Sequence, residues 1–185
     1  MNPAEKVYVV KAHPGDIAGI VRVLDGTLGQ DFRYGSFSFE ENVHYSFSRS
    51  ISHPNEGVYV AKQILEKPES EVVGFAWFMN HPPNNGTAIL EMFAVRADKQ
   101  KQGIGSKLIA EASGKFVEAQ RKLGVNLRTL HLTTNYSNEG AQTIYTRAGY
   151  EIAGQIKGFV GDGNMEVVMV KKVSDEACPE EYRTK

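Results

Sequence analysis

Cysteine is almost missing from this sequence: Cys178 is the only one in 185 residues. A single cysteine excludes an internal disulfide and any multi-cysteine metal site. It lies beside Pro179 in a polar tail and reads as incidental, since a reactive thiol needs an electropositive setting. Long apolar runs are also missing. None reaches the roughly 18 residues of a membrane helix, and Met1 to Lys11 has no apolar core of signal-peptide length. A soluble, cytoplasmic protein without a membrane partner is therefore expected. Neither sign of charge dominates, with 21 Lys and Arg against 22 Asp and Glu. No basic run offers a stripe for nucleic acid, so none is expected as a partner. No pair of histidines has zinc-ligand spacing, and no metal is expected. His13, His53 and His81 each precede a proline, which favours turns or extended segments there.

What is present is enough apolar sequence for one ordinary core, 41% of the residues. The length suits a single domain, taken here as 1–173, followed by a charged, frayed tail over 174–185. Val7 to Lys11 reads as a strand. Ile17, Ile20, Val21, Leu24 and Leu28 recur at helical spacing. A loop and then a helix from about Glu40 to Ser50 follow. Val58 to Gln63, Val72 to Met79 and Thr87 to Val95 read as strands, joined at Lys67-Pro68-Glu69-Ser70 and at His81 to Gly86. A polar loop, Ala97 to Gln102, leads into a helix whose buried face is Ile104, Leu108, Ile109, Ala112, Phe116 and Leu123, stopped at Gly124. Arg128 to Thr134 is a strand and Ser137 to Ala148 a helix ended by Gly149. Tyr150 to Lys157 and Met165 to Lys172 close the chain as a hairpin around Gly161-Asp162-Gly163-Asn164. The pattern predicts one mixed α/β (α+β) domain with a central sheet flanked by helices.

The join at Gln100-Lys101-Gln102-Gly103-Ile104-Gly105 places two glycines where a strand and its loop hand over to a helix. The first turn of a helix leaves backbone N–H groups unpaired, and its dipole favours an anion. The glycines carry no Cβ to hold a phosphate off the backbone, and Lys101 and Lys107 add positive potential. A tight, ligand-free strand-to-helix turn explains the same residues. A dinucleotide fingerprint is excluded because Leu108 stands where a small residue is needed, and Gly105-Ser106-Lys107 is no Walker ending.

Two segments together narrow the choice. The run Glu91-Met92-Phe93-Ala94-Val95-Arg96-Ala97-Asp98-Lys99-Gln100-Lys101-Gln102-Gly103-Ile104-Gly105 resembles the central motif of the GNAT N-acetyltransferase superfamily. There a strand precedes Arg/Gln-x-x-Gly-x-Gly/Ala and a long helix. The run Asn138-Glu139-Gly140-Ala141-Gln142-Thr143-Ile144-Tyr145-Thr146-Arg147-Ala148-Gly149-Tyr150 is similar to the family's second motif. The resemblance covers residues 58–172 well and the first helical region only in outline.

The resemblance implies a splayed mixed sheet that grips acetyl-CoA, the co-substrate, between two strands. Backbone groups of Phe93, Ala94 and Val95 would bond the pantetheine arm. N–H groups of Gln100, Lys101, Gln102, Gly103, Ile104, Gly105 and Ser106 would cradle the pyrophosphate. Gln100 stands where the family often has Arg. The implied reaction is direct attack of a primary amine on the acetyl group. Tyr145 matches the position that protonates the departing thiolate, or it is a half-buried packing tyrosine. Glu91, if the strand is regular, faces the same side as Ile89 and Phe93. It is then a base, directly or through water, or else a structural carboxylate, and a bulge would change its facing. Asn138 caps the second helix or contacts the cofactor, and His131 is a further base candidate.

The acceptor is not legible. Phe32, Tyr34, Phe37 and Phe39 line an apolar pocket or are core. Asp31, Glu40 and Glu41 attract a cationic amine or are a solvated helix start. A small-molecule amine, a protein amine, a longer acyl donor, a CoA-sensing module without catalysis and a homodimer all stay open.

Overall fold

The strongest strand in the sequence, Val72 to Met79, lies inside the sheet, paired on both sides. A continuous apolar run belongs to a strand buried on both faces, and in the computed structural model every residue of that run is buried. The structure describes residues 6–27, 38–64, 70–80, 86–159 and 163–173. In chain order the elements are β1 (Val7–Lys11), α1 (Ile17–Asp25), α2 (Phe39–Ser52), β2 (Glu56–Ile64), β3 (Ser70–Met79), β4 (Thr87–Val95), α3 (Ile104–Lys122), β5 (Thr129–Asn135), α4 (Glu139–Arg147), β6 (Glu151–Lys157) and β7 (Met165–Lys172). The seven strands form one sheet in the order β1-β2-β3-β4-β5-β7-β6. All neighbours are antiparallel except β4 and β5, where α3 supplies the crossover a parallel pair requires.

Strand alternation sends side chains to two cores. Val73, Ala76 and Phe78 of β3 join Leu108, Ile109 and Phe116 of α3 on one face. Phe75, Trp77 and Met79 join Ile20, Leu24, Val43 and Phe47 of α1 and α2 on the other. The two helix pairs thus cover opposite faces. Phe39 packs onto the α1–α2 core. Ser38 and Glu41 form a reciprocal cap at the start of α2, so Glu41 belongs to the helix start.

The observed elements follow the expected ones within a few residues. One expectation is corrected: Leu123 is not on the buried face of α3 but 57% exposed, because the helix ends at Lys122 and Leu123 has already turned off its axis. Leu28, Asp31, Phe32, Tyr34, Phe37, the connection at 67–69, the turn at 81–85, the hairpin tip at 161–162 and the tail over 174–185 lie outside the described residues. Among the described residues no helix is long and apolar enough to cross a membrane.

Candidate active site

The parallel contact between β4 and β5 is short. It consists of Thr87 with Thr129, Ala88 with Leu130 and Ile89 with His131. Both strands then continue, β4 to Val95 and β5 to Asn135, without pairing with each other. The result is a wedge that opens toward the C-terminal ends of the two strands. An antiparallel strand turns alternate residues' N–H and C=O toward its partner. Arg96 N donates to Val73 O at 2.9 Å, so Arg96 and Ala94 spend their backbone groups on β3. Phe93 and Val95 therefore direct theirs into the wedge. This takes Ala94 out of the expected pantetheine-binding set, and its side chain is buried in the α1–α2 core.

Val95 leads into the loop whose shape is set by side chains. Arg96 forks onto Asp98, with Nε to Oδ1 at 2.6 Å and a second bond at 3.0 Å, and also pairs with Glu71. Gln102 Nε2 donates to Asp98 O at 3.1 Å. Lys101 and Gly103 both have left-handed backbone, at φ 58° and 80°. Gly103 is the N-cap of α3 and supplies no side-chain cap. The first intrahelical bond runs from Lys107 N to Gly103 O at 3.1 Å, so the N–H groups of Ile104, Gly105 and Ser106 precede the helical ladder. Gln100 does something the sequence did not suggest: its Nε2 donates to Val95 O at 3.0 Å. That bond ties the loop back to β4 and takes one of the two lone pairs of a carbonyl facing the wedge. Gly105 faces the Phe93 and Ile144 side chains. A Cβ there would lie 3.4 Å from both the Phe93 ring and Ile144 Cδ1.

Tyr145 of α4 is 7% exposed and reaches the wedge from the α3–α4 face. Its ring meets Phe93 edge-on at 5.8 Å between centroids and Tyr150 at 6.0 Å. The two motifs are thus joined in space by an aromatic contact on the α3–α4 face. Burial, and to a lesser degree Tyr150, pushes the Tyr145 phenol well above its ordinary range, so it stays protonated. Asn138 is the α4 N-cap, its Oδ1 accepting from Ala141 N at 3.1 Å.

Glu91 does not sit in a regular strand. Phe78 pairs with Leu90 and Trp77 with Met92, which makes Glu91 the inserted residue of a β-bulge. As a consequence Ile89 packs toward the α1–α2 core and Phe93 toward the α3–α4 core, so the expected common facing of Ile89, Glu91 and Phe93 does not hold. Glu91 is exposed, just past the last step that β4 shares with β5. His131 stands at that last step. Its burial lowers the imidazole pKa, only partly offset by a backbone hydrogen bond to Ala88, so the ring is neutral near pH 7.

The sequence pattern did not single out Asn135 and Glu166. They are register partners on β5 and β7, and Asn135 Nδ2 donates to Glu166 Oε1 at 3.3 Å. The signal was available: Glu166 is a carboxylate in an apolar strand, as Glu91 is.

The chain's residues 54–152 match the family model described as an acetyltransferase (GNAT) domain. No curated protein matches it in sequence comparison. Solved structures share the fold. A Salmonella typhimurium protein determined with its cofactor acetyl-CoA superposes at a TM-score of 0.68 and 14% identity, covering 95% of this chain and 98% of that one. A ribosomal-protein alanine N-acetyltransferase from Escherichia coli gives 0.67 and 17%, with 94% and 97% covered. A variant of spermidine N-acetyltransferase from Vibrio cholerae gives 0.69 and 16%, with 91% and 94% covered.

Proposed function

The chain belongs to the GNAT acetyltransferase family, and from that premise we propose that it transfers an acetyl group from acetyl-CoA to a primary amine, by direct attack while both substrates are bound. The observation that carries this reading is the wedge itself. Its β4 edge offers the backbone of Phe93 and Val95, and β4 leads on to the N-terminus of α3, where Gly103 provides no side-chain cap. A strand edge suits the amide-bearing pantetheine arm, and a helix N-terminus suits the pyrophosphate. Binding along Val95 uses its N–H, or the second lone pair of the carbonyl that Gln100 also engages.

The chemistry distributes over the two faces of the sheet. The N–H of Phe93 points into the wedge, where it stabilises negative charge on the acetyl oxygen as the amine adds. Tyr145 stands on the α3–α4 face and donates a hydrogen bond to the sulfur as the C–S bond breaks. Its raised pKa lies above the roughly 8.5 of a free thiol, so full proton transfer is uphill and the contribution is a hydrogen bond to the developing thiolate. The attacking amine must shed a proton. Glu91 at the bulge, two residues from Phe93, is the nearer group to take it, directly or through water; His131, at the wedge apex about 10 Å of strand from Phe93, would act only through a chain of water.

The solved relatives named above act on acceptors as different as spermidine and a protein alanine, so the fold alone does not select one. The test is thiol release from acetyl-CoA against a panel of amines, with the acetylated product identified by mass. Acetylated product with any amine supports the reading. CoA binding with no product from the panel would point instead to a sensing module.

A further inference from the structure

Three carboxylates are buried among the described residues: Asp16, Glu56 and Glu166. A buried charge is costly unless it is paired. Asp16 has Lys62 Nζ at 2.7 Å, and Glu56 has Arg49 at 3.3 Å and the Trp77 indole N–H at 3.0 Å. Glu166, 6% exposed, has only the neutral amide of Asn135 at 3.3 Å. Among the described residues no cation pairs with it.

Its place in the fold says what the missing charge is. Leu130 and Leu132 of β5 point into the α3–α4 core, so alternation turns Thr133 and Asn135 to the opposite face, with Glu166 beside Asn135. No residue of β5, β6 or β7 joins the α1–α2 core among the described residues, so neither helix covers this part of the sheet. Asn135 lies four residues beyond His131, and Phe93, with Glu91 as the bulge's extra residue, lies three ladder steps beyond Ile89, the partner of His131 at the apex. Glu166 therefore stands about one residue beyond the level of Phe93, on the far arm of the wedge and on the face opposite Tyr145. β7 is two strands from β4. That is about 10 Å by strand spacing, and more where the strands diverge. The separation is too long for Glu166 to take a proton from a nitrogen reacting beside Phe93. It suits a second positive charge on the same acceptor.

Resting on the acetyltransferase reading, we propose that Glu166 is a specificity-determining residue that receives a distal ammonium, so that the acceptor is an aliphatic di- or polyammonium compound. An amine whose far end is neutral leaves the carboxylate uncompensated, and one whose far end is a carboxylate is repelled.

The experiment compares 1,4-diaminobutane with butylamine on the CoA-loaded protein by calorimetry, and as acceptors of acetyl-CoA by thiol release. The native protein is expected to bind the diamine about tenfold or more tightly over the monoamine, a contrast on the scale of a charge-assisted contact. Glu166→Gln should bring that ratio near unity while CoA affinity holds, the kinetic loss falling on KM for the diamine. Glu166→Asp, which keeps the charge on a shorter arm, should retain part of the preference. Equal affinity for the two amines in the native protein overturns the proposal even if the Gln variant fails to fold, and so does a Gln variant that keeps the preference. If the diamine binds through Glu166 while no amine releases thiol, the site stands and the transferase reading fails.

Discussion

Tyr145 shows how one side chain's environment sets its chemistry. It is buried against Phe93 and Tyr150, and that burial keeps its phenol protonated while making it a weaker acid. Tyr145→Phe removes one oxygen and leaves both ring contacts in place. We expect kcat to fall by roughly 10²-fold, the scale for one lost hydrogen bond to charge developing in the transition state, with CoA affinity unchanged. The loss is partial because a thiolate also leaves unassisted. Steady-state kinetics at saturating amine decides the point, and an unchanged kcat would make Tyr145 a packing residue. Glu91 differs in being exposed on a bulge. If it takes the amine proton, Glu91→Gln should reduce turnover most at low pH, where the free amine is scarcest. The free-amine fraction rises as pH approaches the amine's own pKa of about 10.4, so the deficit should shrink with rising pH. A variant whose pH–rate profile overlays the native one would pass the role to His131, the neutral imidazole at the wedge apex.

At the scale of the element, the decisive feature is how α3 begins. Most helices close their first turn with a side-chain oxygen at the N-cap, as Ser38 does for α2 and Asn138 for α4. α3 begins instead on Gly103 at φ 80°, which leaves its first N–H groups without a side-chain cap. Gly103→Ala forces a Cβ into left-handed backbone, at a cost of about 1 kcal/mol, and the loop is expected to relax away from that geometry. CoA affinity measured by calorimetry should weaken several-fold with the fold intact by circular dichroism. Unchanged affinity would remove this helix terminus from the pyrophosphate site. Gly105 is a poorer place for the same test. A larger residue there strikes Phe93 and Ile144, so lost binding could reflect repacking.

At the scale of the whole molecule, one sheet is shared by two cores on opposite faces, and β3 contributes to both. That sharing couples them. Phe47 of α2 is fully buried, with ring centroids 5.3 Å from Phe75 and 5.2 Å from Trp77. Phe47→Ala should cost about 3–5 kcal/mol, the usual range for a buried phenylalanine. The chain's only tryptophan, Trp77, lies in the damaged core, whereas far-ultraviolet dichroism reports on all elements. Coincident transitions by tryptophan fluorescence and dichroism are expected in the variant as in the native protein. Separate transitions would show that the α1–α2 side unfolds independently of the α3–α4 side.

The elements and both family motifs were legible in the sequence because the signals behind them are local. Apolar strand-forming runs between turn signals predicted β1, β4 and β7 at the bounds observed, and Gly124 and Gly149 fall just past the ends of α3 and α4. The facing of Glu91 was not legible, since a bulge exists only relative to the partner strand and the extra residue is counted against Trp77 and Phe78. The turn of Leu123 off the α3 axis, the fold-back of Gln100 onto Val95 and the commitment of Ala94 to β3 are likewise properties of how the chain closes on itself. Glu166 makes the division plainest. Its sequence shows a glutamate in an apolar strand, but only the pairing of β5 with β7 buries it beside Asn135 at the level of the wedge, because the cost of burying a charge is set by what surrounds it in space.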